Sequence, residues 1–182
     1  MKSAEAAFAE ALDQRKHFAL VRRLTEGIEI PNRRAMVDLY LEHTRAELID
    51  CEIDALMATL APEPEYIFLG MGEHAPPALR GVADVRAFYL TSFRGGANQG
   101  ALNEIDRVVV TDDVLILEGV NTSSGARLAS MYPEVADFID TSRTCVVRKR
   151  LAAILPFSEG RIAGERLYFD GFYRPEEVQY FD

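Results

Sequence analysis

Cysteine is scarce in this chain. Cys51 and Cys145 are the two copies in 182 residues, far apart and outside any C-x-x-C or Cys/His ligand spacing. A disulfide framework or a thiolate metal cluster is therefore not written into the sequence, and a reduced, buried thiol is expected at each position. Histidine is also rare. His17, His43 and His74 show neither H-x-H nor H-x-x-x-H spacing, so no catalytic metal site is expected. Positive charge is in the minority, with 20 Lys and Arg against 29 Asp and Glu and a formal charge of -9. That balance repels a phosphate backbone and argues against a nucleic-acid partner. No apolar run is long enough for a signal peptide or a membrane span, and residues 1–24 carry a charge every few positions. A soluble, cytoplasmic chain without a membrane partner is expected. The sequence also has no Gly-rich phosphate loop, no G-x-S-x-G and no Ser/His/Asp order, so it offers no signal for phosphoryl transfer or triad hydrolysis.

What is present suffices for one core. With 48% hydrophobic residues, a chain of this length buries roughly 70% of the surface it exposes when unfolded and needs neither disulfides nor a structural metal. Residues 4–25 are rich in Ala, Leu, Glu and Arg, and Phe8, Leu12, Arg15 and Ala19 form one stripe. This predicts an N-terminal helix, ended by Gly27. Pro31, followed by Met36, Leu39, Tyr40, His43, Glu47 and Leu48 at helical steps, predicts a second helix over residues 32–49. Asp50 is the expected cap of a short third helix with Ile53, Leu56, Met57 and Leu60 on one side, stopped by Pro62 and Pro64.

The apolar period then changes. A strand is expected over residues 65–69, a Gly/Pro loop holding His74 over 70–79, a helix over 82–93 with Val85, Phe88 and Tyr89 inward, and a turn over Gly95 to Gly100. Strands over 105–111 and 114–122 meet at Asp112 and Asp113. After a loop containing Tyr132, Pro133 and Phe138, longer strands over 143–157 and 161–170 are joined by Ser158, Glu159 and Gly160. Helices first and a meander afterwards is an α+β pattern, not a parallel βαβ array. The expected division is an N-terminal helical extension over residues 1–30 and one domain over 31–182.

Three stretches carry a resemblance: Asp50 to Leu60 (DCEIDALMATL), Leu79 to Tyr89 (LRGVADVRAFY) and Pro156 to Asp170 (PFSEGRIAGERLYFD). In their order and spacing the chain, over about residues 32–174, resembles SnoaL-like proteins of the NTF2-like superfamily. The resemblance implies a cone-shaped α+β barrel whose curved antiparallel sheet wraps the N-terminal helices around one pocket. The superfamily includes polyketide cyclases, steroid isomerases, dehydratases, epoxide hydrolases and non-enzymatic interaction domains, so the fold does not name a reaction. Relatives commonly pair through the convex sheet face. The strand over 145–157 interleaves Val147, Leu151, Ala153 and Leu155 with Val146, Ala152 and Ile154, apolar on both faces at its end, so a homodimer is expected.

The candidate catalytic groups are Asp170, His43 and Tyr40. Asp170 matches an aspartate that recurs at the end of this strand in SnoaL-like proteins. It reads either as a pocket carboxylate that shuttles a proton next to a carbonyl, or as a strand-end aspartate capping a turn or pairing with Arg166 or Arg174. By alternation Ile162, Gly164, Arg166, Tyr168 and Asp170 share one face, and Ala163, Glu165, Leu167 and Phe169 the other. Tyr40 resembles the oxyanion-donating tyrosine of the steroid isomerases. His43 reads as a general base or as a histidine satisfied by a backbone partner. Phe68 stands where spacing from Asp54 places the catalytic aspartate of steroid isomerases, which disfavours isomerisation by that route.

Tyr66 and Phe68 share a strand face and read as an aromatic pocket wall or as core, with Tyr89 and Tyr168 as further candidate substrate contacts. Glu118 and Asn121 lie on opposite faces of their strand, so at most one sees the pocket. Arg148, Glu118 and Asp170 do not repeat the Arg and two Asp of an epoxide hydrolase, and His74 reads either as a group at the pocket mouth or as a solvated loop histidine. The expected function is a cofactor-independent enzyme acting by acid/base proton transfer on an apolar cyclic or polyketide-like small molecule, as a cyclase, isomerase, dehydratase or hydrolase. The alternative is a non-catalytic module that binds a small ligand or a partner.

Overall fold

The structure, a computed structural model, describes residues 3–94 and 100–181; of the turn expected over Gly95 to Gly100, residues 95–99 lie outside the described residues. The N-terminal stripe forms two helices, α1 (Ala4–Ala11) and α2 (Arg15–Leu24). Between them the Asp13 carboxylate accepts from the Arg15 backbone N–H at 3.1 Å and from its guanidinium at 2.8 Å. Such local bonds from short acidic side chains compete with the helical ladder and break it.

Pro31 opens α3 (Pro31–Arg45), where its fixed φ and missing N–H are tolerated. The helix expected to reach Ile49 instead widens into a π turn over Ala46–Asp50, closed by Cys51 in the left-handed region at φ 51°. Asp50 consequently caps nothing. It pairs with Arg45 at 3.1 Å, and α4 (Ile53–Ala58) begins after Glu52. β1 (Leu60–Leu69) starts earlier than the prolines suggest, because Pro62 and Pro64 fall where its pairing register shifts and no ladder donor is required of them.

β2 (Leu79–Arg80) and α5 (Gly81–Arg94) follow, then β3 (Ala101–Val110) and β4 (Val114–Ser124). The segment expected as loop contains α6 (Gly125–Met131) and α7 (Pro133–Ala136). β5 (Cys145–Ser158), β6 (Arg161–Phe169) and the short β7 (Val178–Tyr180) complete the chain. Seven strands form one curved, open sheet in the order β2-β1-β6-β5-β4-β3, with β7 beside β5. β3 to β6 are an antiparallel meander, and β1 joins β6 in parallel. The architecture is α+β.

The concave face packs α2, α3 and α5 against a core that includes Val21, Val37, Val85, Leu117 and Leu155. A second cluster around Leu128, Val135 and Tyr173 fills the end under α6 and α7. On the convex face Arg148 pairs with Glu104 and Arg150 with Asp106 and Glu118, while Ala152 and Ile154 further along β5 are half-buried. Among the described residues no helix is long and apolar enough to cross a membrane.

One irregularity decides which side chains face inward. Pairing on both sides of β6 shifts register near Gly164, which adopts φ 145°. An extra residue there changes the parity of the strand, so that Ile162 is fully buried in the core while Glu165, Leu167 and Phe169 face the cavity beyond it. A Cβ at Gly164 would lie 1.9 Å from the Glu65 carbonyl oxygen, whereas one at Gly27 would meet nothing within 4 Å. Gly164→Ala is therefore expected to cost more than about 2 kcal/mol in urea denaturation, and Gly27→Ala less than about 0.5 kcal/mol. Equal effects at the two positions contradict the bulge.

Candidate functional site

Between the concave sheet face and α3 and α5 lies a cavity of about 140 Å³. Phe68, Phe88, Leu117, Leu151, Leu155 and Phe169 supply apolar wall, and Tyr40, Glu47, Tyr66, Tyr89, Asn103, Asn121, Arg127 and Glu165 supply polar groups. Mostly apolar walls with a few convergent polar groups are the usual form of a small-molecule site.

Two carboxyls enter this wall. Glu47 projects from the π turn, on the stripe that also carries Tyr40 and Thr44, and Glu165 projects from β6 just past the Gly164 bulge. Burial raises the Glu165 carboxyl to about 8, with the negative charge of Glu47 pushing further in the same direction. Burial likewise raises Glu47, to about 7, against the opposing pull of the Arg127 guanidinium. Two carboxylates in one low-dielectric wall do not both ionise readily, so the pair retains a proton near neutral pH.

His43 lies one layer behind. It is fully buried, with Nδ1 2.6 Å from the Thr59 hydroxyl, which itself donates to the Leu56 carbonyl at 2.6 Å. Thr59 has one proton and has spent it on Leu56, so the imidazole Nδ1–H is the donor and Nε2 carries a bare lone pair. That lone pair has no hydrogen-bond partner and lies 3.7 Å from Glu165 Oε1. Burial lowers His43 to about 4, so the ring is neutral and neither takes the Glu165 proton nor attracts a carboxylate.

His17 plays a parallel part behind Tyr40. Its Nδ1 is 2.9 Å from the Asn103 carbonyl oxygen, which can only accept, and its Nε2 is 3.0 Å from the Tyr40 hydroxyl. Burial lowers its pKa and keeps it neutral. Tyr40 therefore donates its proton to His17 and presents an oxygen lone pair elsewhere. Tyr66 is fully buried, its ring edge-on to Tyr89 at 6.1 Å. Among the described residues no group of three or more His, Cys, Asp or Glu is placed to hold a metal ion.

Tyr40, Tyr66, Phe68 and Tyr89 all line the cavity, as does Asn121 rather than Glu118. Three other candidates lie elsewhere. Asp170, one residue past β6, is exposed and 3.8 Å from the Lys149 ammonium. Glu118 is on the convex face, 3.2 Å from Arg107, and Tyr168 is 40% exposed. The structure does not bring these three to the cavity, because the Gly164 bulge turns their strand face outward or, for Glu118, alternation along β4 does so. His74 stacks on Phe172 at 3.8 Å with Nδ1 3.5 Å from Glu134, away from the carboxyl pair. Glu47, Glu165 and His17 were not singled out from sequence. The available signals were an acid on a helical stripe of core residues and another between apolar neighbours on one strand face.

No family model matches the sequence, and no curated protein matches it. Solved structures do. An NTF2-like protein from Burkholderia xenovorans LB400 is 15% identical with a TM-score of 0.53, over 76% of this chain and 91% of its own. A candidate SnoaL-like polyketide cyclase from Jannaschia sp. CCS1 is 16% identical with a TM-score of 0.53, over 79% and 90%. An LEH-like epoxide hydrolase from M. tuberculosis is 15% identical with a TM-score of 0.52, over 77% and 86%. The likeness is one of fold: this chain has the cone-shaped NTF2-like fold.

The raised carboxyl makes a prediction about stability. Between the ordinary value of 4.5 and about 8, the folded chain keeps on Glu165 a proton that the unfolded chain has released. The stability associated with this group is full below pH 4.5 and is lost as pH rises towards 8. Glu165→Gln removes the loss. Measured by urea denaturation, the stability of the variant relative to the parent should climb with pH across this window by on the order of 2 kcal/mol. A difference that stays flat contradicts the burial of the charge.

Proposed function

We infer that the chain is an enzyme that moves a proton at a carbon next to a carbonyl in an apolar, cyclic, polyketide-like molecule, using Glu165 and Glu47 as its acid/base pair. The observation that carries this reading is Glu165: a carboxyl inside an apolar cavity, raised towards neutral pH, beside a second raised carboxyl. Catalytic acids and bases work best with pKa values near the operating pH, and a surface carboxylate does not meet that condition.

The pair divides the work. Its ionised member takes the proton from the carbon, and its protonated member supplies one to the neighbouring oxygen or carbon, so the two carboxyls exchange states over the reaction. His43 stands behind Glu165 as a neutral ring whose Nε2, 3.7 Å away, brings no positive charge to stabilise the carboxylate. Phe68, Phe88 and Phe169 give the apolar body of the ligand a surface to rest on and keep water from levelling the pKa values. The solved structures named for polyketide cyclisation and epoxide hydrolysis share the fold and fit a small-molecule enzyme.

The test needs no physiological substrate. 2-Tetralone, a bicyclic ketone with exchangeable α-protons, is incubated in D2O and deuterium uptake is followed by NMR. The parent protein should accelerate uptake above buffer, and Glu165→Gln should lower that acceleration by roughly 10²–10⁴-fold. Uptake by Glu165→Gln at the parent rate removes Glu165 from the chemistry. Binding of the ketone without any acceleration by the parent favours a ligand-binding module over an enzyme.

A further inference from the structure

The cavity holds a second polar constellation that the acid/base reading does not use. It begins at Arg127, whose place on the first turn of α6 is set by the Ser124 hydroxyl accepting the Arg127 backbone N–H at 3.3 Å. The guanidinium Nη1 donates to the Ser123 hydroxyl at 3.1 Å. Ser123 in turn donates to Asn121 Oδ1 at 2.8 Å, and Asn121 Nδ2 donates to Asn103 Oδ1 at 2.8 Å.

The direction of this chain is fixed by chemistry. A guanidinium has no acceptor, so Ser123 must receive from it and pass its own proton on, and each amide is then oriented by the group before it. Ser123 and Asn121 face the same way because they are two apart on β4, and Asn103 lies directly opposite Asn121 in the β3–β4 register. His17 holds the Asn103 backbone from behind. At the end of the chain the Asn103 Nδ2 donors, in a residue that lines the cavity, have no hydrogen-bond partner among the described residues. Arg127 Nε is buried and, among the described residues, has no hydrogen-bond partner. A positive charge that polarises three successive hydrogen bonds in one sense makes the terminal amide a stronger donor than an isolated asparagine.

We propose that Asn103, polarised through Asn121 and Ser123 by Arg127, is the subsite that recognises an acceptor oxygen of the ligand, a carbonyl or enolate. The inference rests on the cavity being the ligand site of the reading above, and it selects ketones over hydrocarbons of the same shape. A neutral acceptor oxygen completes the chain, whereas a hydrocarbon leaves the amide desolvated and unpaired.

Binding of 2-tetralone and of tetralin, which lacks the oxygen, is measured by calorimetry on the parent, Asn103→Leu and Ser123→Ala. The ratio of the tetralin Kd to the 2-tetralone Kd should fall roughly tenfold in Asn103→Leu and Ser123→Ala, with 2-tetralone binding weakened and tetralin binding not weakened. Deuterium uptake by 2-tetralone is read separately on the parent, so a parent that discriminates the two ligands without accelerating uptake fails the acid/base reading and keeps this one. If Asn103→Leu does not fold, Ser123→Ala carries the test, since it interrupts the chain while leaving Asn103 in place. An unchanged ratio in a folded variant overturns the proposal, as do equal losses for both ligands, which mark a structural role, and a parent that binds neither.

Discussion

Burying a carboxylate costs several kcal/mol unless something compensates it, and this chain brings two carboxyls to one apolar cavity. The compensation is protonation. Glu47 and Glu165 are both raised, each partly or wholly by burial, and the charge on one adds to the cost of charging the other. A pair so placed keeps one proton over a range in which surface carboxyls have none. The surrounding fold provides that placement: the π turn directs Glu47 inward at the end of α3, and the extra residue at Gly164 turns Glu165 inward on β6.

The layer behind the cavity is built from neutral histidines. Each has its Nδ1–H committed, His43 to Thr59 and His17 to the Asn103 carbonyl, so each offers Nε2 as an acceptor. His17 offers it to Tyr40 at 3.0 Å, and His43 turns it towards Glu165 at 3.7 Å, beyond hydrogen-bond reach. His17 and Val21 come from α2, whose side chains are therefore part of the wall behind the site. Replacing either ring by a cation would set a positive charge next to these groups and shift the pair towards ionisation, which burial opposes at both positions.

Much of the fold was legible. The change from helical to alternating period near Pro62, the Asp112-Asp113 hairpin and the closing hairpin at Gly160 are local signals, and they led to an α+β reading. The resemblance to SnoaL-like proteins pointed to the same cone. Where the reading failed, the cause was a competing local bond or a tertiary effect. Asp13 breaks a continuous helical stripe through its own carboxylate, and a π turn hides inside a pattern that reads as ordinary helix. On β6, strict alternation from the buried Ile162 carries Asp170 inward. One glycine at φ 145° reverses the parity, and Glu165 enters the cavity instead. Burial and hydrogen-bond direction, which decide the roles of Glu47, His17 and Asn103, depend on partners 18 or more residues apart and have no signature in a short window.

The central claim is that the cavity holds a carboxyl pair that keeps a proton near neutral pH, and ¹³C NMR of the protein labelled at the glutamate side-chain carboxyl carbon observes it directly. Two resonances should titrate well above the ordinary glutamate range, and Glu47→Gln should remove one and bring the midpoint of the other, Glu165, down, because the neighbouring charge that added to the effect of burial is gone. If every glutamate resonance instead titrates between about pH 4 and 5 in the folded protein, the carboxyls are solvated and unpaired, and the account of the site fails.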